Sequence, residues 1–422
     1  MSALLSGRTD FGNRPRYHQT PSRLTTMERE DGSVLEPGDV TTPSYHRELA
    51  DHLEGSEPEL WAWFAGSSTV ADRQDPSAEV ELLKSAYRLD GGAHDVLAGH
   101  ATLLADRLGI DQPIVLYQEL NSEGGNARVF PLNDRIHVVF SGDLLDLLTA
   151  DEAFAVLAHE LAHVELWHRD HGRYLVLDHL VHRLASEPTA ADAVVETARR
   201  LRLHTEVWAD AASAELTGNT ATVVTSIVKV NAGIRHVEAD AYLRQAAEIL
   251  ELDAAASQAW THPELHIRVA CLEARNRGTS AATIAALISG PDDLDRLDLL
   301  GQLRLRELTA RVLRSGAAAA ADLGDGETTD GVDTYIRSYP DLAVADAAPI
   351  GDGELADHEA SVRWLAAAIL VDIALSEDGS GGLDEIRALA GEADRLGVAD
   401  EFERILGRAN GRPAGRANGG GR

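Results

Sequence analysis

The residues of this chain best suited to catalysis form the pattern His-Glu-x-x-His, at His159, Glu160 and His163. Residues four positions apart on an α-helix lie on the same side, about 6 Å apart along the axis, so both imidazoles can reach one metal ion. Imidazole nitrogen is a common zinc ligand, and the intervening carboxylate can take a proton from water as the water attacks a carbonyl group. The pattern therefore predicts a zinc site with His159 and His163 as ligands and Glu160 as general base.

The surrounding sequence predicts the helix that this pattern needs. Neither Gly nor Pro occurs from 144 to 167, and apolar side chains recur at helical spacing over a broad surface. Thr149 followed by Glu152 is typical of a helix N-terminus, where the two residues cap each other. Ionisable histidines on an apolar helix face are unfavourable in a core that holds no metal ion. We therefore expect this helix to carry a metal site.

A catalytic zinc ion also needs a third protein ligand and an open position for water. Leu166 and Arg169 stand where the metzincin pattern has Gly and its third His, which excludes that subclass. A later helical segment carries Glu206 and Asp210 on one face. Glu206 can supply the third ligand oxygen, and Asp210 can accept a hydrogen bond from the free ring nitrogen of a ligating histidine. The spacing alone leaves open an ordinary solvent-exposed carboxylate pair.

The order of these motifs resembles the gluzincin peptidases of the CAAX-prenyl-protease and HtpX-like family. The resemblance covers roughly residues 80–275. It implies an α+β fold that is predominantly α-helical and has a small β-sheet. It also implies an enzyme that binds one Zn²⁺ per chain and acts on protein or peptide substrates. The matching segments are 83–90 and 104–110 (lead-in helices), 113–117 (first strand), Asn126-Ala127 (Asn-Ala turn), 136–142 (strand before the active-site helix), and Thr261-His262-Pro263 with Arg268 (His-Pro segment).

Two features depart from the family pattern. Many members are integral membrane proteins, whereas no segment here approaches the roughly 20 apolar residues that a membrane-spanning helix needs. In addition, Glu206 follows His163 by 43 positions, which leaves room for an inserted helical segment. We expect the four histidines of that segment to have surface or ordinary core roles; they are His168, His171, His179 and His182.

The composition indicates an acidic globular enzyme. A chain of 422 residues with 44% hydrophobic residues can form two or three domains with real cores. A net charge of −31 argues against binding to nucleic acid or to anionic membranes through bulk electrostatics. The single cysteine, Cys271, cannot form an internal disulfide and is expected to pack as a small apolar residue. The N-terminal residues show no secretory signal, and we expect a cytoplasmic protein.

Changes in composition along the chain predict its organisation. The final helical unit, with the apolar segment 364–375, faintly resembles TerB-like helical domains and is a possible site for a protein partner. We expect disordered tails at 1–42 and 410–422, a helical lead-in at 43–76, the zinc metallopeptidase domain at 77–277, a helical extension at 278–321, an acidic Gly/Asp-rich linker at 322–353 and a C-terminal helical domain at 354–409.

These observations together predict a zinc-dependent endopeptidase with Glu160 and His262 as catalytic residues. Strand 136–140 is the expected edge on which an extended substrate pairs. His262 has three possible roles, since it could occupy the fourth zinc position and keep the enzyme latent, donate to the oxyanion, or only pack against the following helix. Two other functions remain open: a protein whose zinc site is inactive and whose C-terminal domain binds a partner, and a zinc hydrolase acting on a non-peptide amide.

Overall fold

The computed structural model describes residues 41–71, 76–122, 124–253, 255–321, 336–337, 340–375 and 382–409. Within them the chain is predominantly helical with one small β-sheet, as the sequence predicts. Most of the predicted tails and half of the predicted linker lie outside the described residues. None of the described helices is both long enough and apolar enough to cross a membrane.

All four strands lie between residues 86 and 141, and the chain is helical before and after them among the described residues. The elements are α1 Ser44–Ser56, α2 Pro58–Ala71, α3 Pro76–Ser85, β1 Ala86–Arg88, α4 Asp95–Leu108, β2 Ile114–Glu119, β3 Asn126–Leu132, β4 Arg135–Ser141, α5 Leu144–Leu147, α6 Ala150–Ala185, α7 Asp192–Thr217, α8 Thr220–Ala232, α9 Ala239–Leu252, α10 Leu265–Asn276, α11 Ala281–Ser289, α12 Leu299–Ala321, α13 Ala360–Leu375, α14 Leu383–Leu396 and α15 Ala399–Ala409.

The four strands form one sheet in the order β1-β2-β4-β3. Strands β2 and β4 are parallel, whereas β1 pairs antiparallel with β2 and β3 pairs antiparallel with β4. The prediction that strand 136–140 forms the substrate-pairing edge is therefore wrong, because β4 is bonded on both sides. Strand β3 is an edge strand of the sheet instead, as is β1. Its side chains from Asn126 to Val129 line the cavity described below.

Two local predictions are also wrong, both because strand pairing overrides local preference. Residues 86–88, expected within a lead-in helix, form β1 by pairing with Tyr117 to Glu119. Asn126-Ala127, expected as a turn, begins β3 and pairs with Phe140 and Ser141.

The central layer consists of α6 and α7, which pack against each other and carry the candidate site. Helix α6 begins with the predicted capping box, in which the Thr149 hydroxyl accepts from the Glu152 backbone N–H and the Glu152 carboxylate accepts from the Thr149 backbone N–H. A kink at 169–172 divides α6, with φ of +49° at Asp170 and +61° at His171. The second half of α6 therefore takes a new direction.

The predicted packing role of Cys271 is confirmed. Its side chain on α10 is 2% exposed and lies in a small apolar cluster with Leu203, Val207 and Ile267. This cluster joins α10 to the middle of α7. Helix α10 is thereby held against the helix that supplies Glu206.

The C-terminal helices α12 to α15 share a hydrophobic core of their own, with Leu313, Leu370 and Phe402 among its members. Helix α12 approaches α13 closely at Gly316, where a Cβ atom would lie 2.7 Å from Ile373 Cδ1. Val344 and Ile350, within the described part of the predicted linker, contribute to the same core. The predicted division into domains stays a prediction.

Candidate metal centre and active site

The structure brings three predicted ligands together, although they come from two helices. His159 Nε2 lies 3.3 Å from His163 Nε2 and 3.4 Å from Glu206 Oε2. His163 Nε2 lies 3.8 Å from Glu206 Oε1. Ligand atoms about 2.0–2.1 Å from a tetrahedral zinc ion lie about 3.4 Å apart. The three side chains fit one zinc ion, and no other such cluster of three occurs among the described residues.

A buried oxygen atom at this cluster lacks a hydrogen-bond donor. Glu206 is 9% exposed, and its Oε2 atom accepts no hydrogen bond within the described part of the chain. A buried carboxylate oxygen without a partner is costly because its hydration has been lost. A cation between Glu206 and the two histidines would supply the missing interaction, so the donor set suits a metal ion.

Asp210 orients one of the histidines, and Arg268 orients Asp210. The Nδ1 atom of His159 lies 3.0 Å from Asp210 Oδ1. Arg268 donates from Nε to Oδ2 over 2.7 Å and from Nη2 to Oδ1 over 2.6 Å. Burial alone would raise the pKa of Asp210, but Arg268 and His159 hold it below its ordinary value. The ionised carboxylate therefore accepts from His159 Nδ1–H and leaves Nε2 free on the side of the metal centre.

Glu160 lies beside the ligands, with its residue 9% exposed, and lines the same cavity. Burial raises the pKa of Glu160 to about 7, while His159 opposes the rise and Glu206 adds to it. A bound cation would lower it again. A carboxylate in this range can both accept and return a proton near neutral pH, as a general base must.

His262 lies at the rim of the site, on the loop before α10. Its side chain is 54% exposed, and its Nε2 atom lies 3.6 Å from Glu206 Oε1. Its Nδ1 atom lies 3.1 Å from the Thr261 hydroxyl. His262 does not belong to the three-residue cluster but can reach a group bound beside it.

The site opens into a cavity of about 640 Å³. Helices α6, α7 and α8 line it, together with β3 and the loop that carries Thr261 and His262. The cavity therefore extends from the three-residue cluster to the edge strand β3.

The model of peptidase family M48 matches residues 103–276, which contain every candidate site residue. The chain carries a peptidase family M48 domain. This confirms the resemblance to zinc metallopeptidases drawn from the motifs. Comparison with curated proteins and with solved structures gave no match.

The M48 match begins within α4 and ends at the last residue of α10. Helices α1 and α12 lie outside the matched segment in sequence, but both contact α7, which lies within it. The aromatic ring of Tyr45 stacks on His204 of α7 at 4.6 Å between centroids, and its hydroxyl donates to Asp298 over 2.6 Å. Residues outside the matched segment thus pack against α7, the helix that carries Glu206.

His46 makes a second contact from α1 to the M48 domain. Its Nε2 atom lies 2.9 Å from the Thr205 hydroxyl, which itself donates to the Leu201 carbonyl over 2.8 Å. The Thr205 hydroxyl therefore accepts from His46 Nε2–H. Burial, followed by the nearby His204, lowers the pKa of His46 to about 3, so this imidazole is neutral. The contact holds the residue that precedes Glu206.

The four histidines between His163 and Glu206 have exposed positions, as predicted. His168 contacts Gln112, and His182 contacts Arg202. None of the four joins the metal cluster among the described residues. Sequence reasoning did not assign roles to His46 or Asp178, because no local motif marks either residue.

Proposed function

We propose that the M48 domain is a zinc-dependent endopeptidase with His159, His163 and Glu206 as zinc ligands. The observation that carries this proposal is the unsatisfied Oε2 atom of Glu206, which faces two imidazoles at ligand spacing. Family membership supports peptidase activity in general. The cluster of nitrogen and oxygen donors supports zinc as the metal.

Zinc at this position would polarise a substrate carbonyl and lower the pKa of nearby water. Glu160 accepts the proton as water attacks and returns it to the leaving amine. Asp210 keeps His159 in one tautomer, and Arg268 keeps Asp210 ionised. His262, exposed at the rim and 3.6 Å from Glu206, is placed to donate a hydrogen bond to the developing oxyanion.

The substrate binds as an extended strand along β3. This strand has a partner on one side only, β4, among the described residues. Main-chain hydrogen bonds to an open strand edge bind peptides without regard to most side chains. Residues 126–129 line the cavity that contains Glu160, so a peptide on β3 passes the metal centre.

Glu160 distinguishes this function from a zinc site kept only for folding or for partner binding. A structural site needs no base and is usually closed by four protein ligands. The cavity leaves space beside His159 and Glu160 instead. A role of the C-terminal helices in binding a partner and a cytoplasmic location stay predictions.

The proposal is tested by comparing casein cleavage by wild type, Glu160→Gln and the control Glu187→Gln at equal zinc content. Glu187 is exposed and pairs with Arg183 on the surface. Gln keeps the shape of Glu160 but cannot accept the proton, so Glu160→Gln should reduce cleavage by a factor of at least about 10². The control should match wild type. Equal cleavage by all three proteins would exclude Glu160 as the base.

A further inference from the structure

Asp178 adds a carboxylate to the wall of the active-site cavity, away from the zinc ligands. It lies on the second half of α6, beyond the kink at 169–172, and lines the same cavity as His163 and Glu206. Arg202, on the same wall, precedes Glu206 by one helical turn, which is about 6 Å along α7. An extended peptide advances about 3.3 Å per residue. A substrate side chain within a few residues of the cleaved bond can therefore reach this wall.

Outside the proposed metal centre, the charged side chains that line the cavity have partners, with one exception. Arg268 is bonded to Asp210, and Arg128 donates to Glu119 over 2.9 Å. Arg202 contacts His182 Nδ1 at 2.6 Å. Glu160 and Glu206 belong to the metal centre.

The exception is Asp178, which makes no hydrogen bond and no ion pair with any described residue. It is half-buried. Burial raises the pKa of Asp178, and the surrounding His179, His182 and Arg202 offset this only in part. A desolvated carboxylate without a partner gains from any cation that reaches it.

We propose that Asp178 binds an Arg or Lys side chain of the peptide substrate, close to the cleaved bond. The inference rests on the proposed function, because it assigns the substrate class of that same cavity. Arg202 lowers the pKa of Asp178 through its charge but forms no ion pair with it, and its Nη2 atom contacts His182 Nδ1 instead. A guanidinium or ammonium group from the substrate forms the ion pair that the chain itself does not provide.

The test measures peptide binding so that it does not depend on turnover. Zinc-loaded Glu160→Gln protein is titrated with fluorescein-labelled eight-residue peptides in which one Arg moves through successive positions. Each is compared with the peptide that has Gln at that position, and a Glu series is included. We expect Arg at one or two positions to lower Kd at least about tenfold, because a desolvated charge pair discriminates strongly.

Variants at Asp178, made in the Glu160→Gln protein, show whether Asp178 causes the preference for Arg. Asp178→Asn should remove the Arg preference without changing the Kd for the Gln peptide, and Asp178→Glu should retain it. Asp106→Asn is the matched control, since Asp106 is an exposed residue of α4 outside the cavity wall. Zinc content and melting temperature are compared for all proteins, and Asp178→Glu keeps the test decisive if the Asn variant is unstable.

Equal binding of the Arg and Gln peptides, or a preference that persists in Asp178→Asn, would overturn the assignment. Tightest binding of a Glu peptide would overturn it as well and point to Arg202. If Arg peptides bind preferentially but wild type cleaves no peptide, the proposed function fails and the site stands. If wild type cleaves peptides without any Arg preference, the site fails and the function stands.

Discussion

The Nδ1 atom of His159 lies 3.0 Å from Oδ1 of Asp210, and Asp210 is 1% exposed. This contact turns the Nε2 atom of His159 toward His163 and Glu206. The two hydrogen bonds from Arg268 hold Asp210 in place and ionised. Arg268, Asp210 and His159 therefore form one chain of contacts, which ends at a predicted metal ligand.

Asp210→Asn should weaken zinc binding by about 10- to 100-fold, the usual effect of losing a partner behind a metal ligand. The Asn side chain keeps the size of Asp but cannot compensate the charge of Arg268. Competition with a fluorescent zinc chelator measures the affinity. Arg268→Gln should move it in the same direction. Unchanged affinity in both variants would show that this chain of contacts does not support the ligand.

His262→Ala should lower peptide cleavage by about 10²–10³ if the imidazole donates to the oxyanion. The measured quantity is the ratio of mutant to wild-type rates at matched zinc content. His236→Ala, at an exposed loop position outside the cavity wall, is the control. A rate that rises would identify His262 as a fourth ligand that keeps the enzyme latent. A ratio near one would leave it only a packing role.

His46 should make the protein less stable in acid. Its folded pKa of about 3 lies below the ordinary value of 6.5, because burial, followed by His204, disfavours its charged form. The unfolded chain therefore binds this proton first as pH falls. The stabilisation is complete above about pH 6.5 and is lost as pH falls toward 3, by up to about 1.4 kcal/mol per pH unit.

Urea unfolding of metal-free protein between pH 6 and 4.5 tests this expectation. His46→Gln removes the titrating group, so its free energy of unfolding should depend less steeply on pH than that of wild type. His52→Gln, on the same helix and not fully buried, provides the comparison. Parallel pH profiles for wild type and His46→Gln would contradict the assignment.

Lys229→Met should destabilise the protein by about 3–5 kcal/mol, because it leaves Glu152 buried without its cation. The Lys229 ammonium group lies 2.7 Å from the Glu152 carboxylate, and both side chains are buried. Lys84 pairs with Glu81 on the surface, so Lys84→Met should cost less than about 1 kcal/mol. Urea unfolding compares the two. Equal losses of stability in the two variants would show that burial does not determine how much the Lys229–Glu152 ion pair stabilises the protein.

Local pattern was sufficient for the active-site helix. The capping residues Thr149 and Glu152 and the absence of Gly and Pro predict where α6 begins, and helical periodicity predicts which face His159 and His163 share. Glu206 was found from its spacing to Asp210 and from the family resemblance. These features depend on residues within one or two helical turns, which is the range over which sequence patterns are informative.

The remaining features depend on contacts between distant parts of the chain. Strand order is not encoded in the strand sequences themselves, so the sequence predicts an open edge at β4, whereas β4 lies inside the sheet. The kink at 169–172 places non-glycine residues in the left-handed region, which local propensity disfavours. His46 reaches Thr205 across 159 residues, and no local signal marks that pair.

The ligand assignment is tested most directly by an anomalous difference map at the zinc edge from crystals of the zinc-loaded protein. We predict one peak per chain, about 2.0–2.2 Å from His159 Nε2, His163 Nε2 and a Glu206 oxygen, with water in the fourth position. A peak that does not contact Glu206, or one closed by His262 as a fourth protein ligand in active enzyme, would contradict the proposed metal centre.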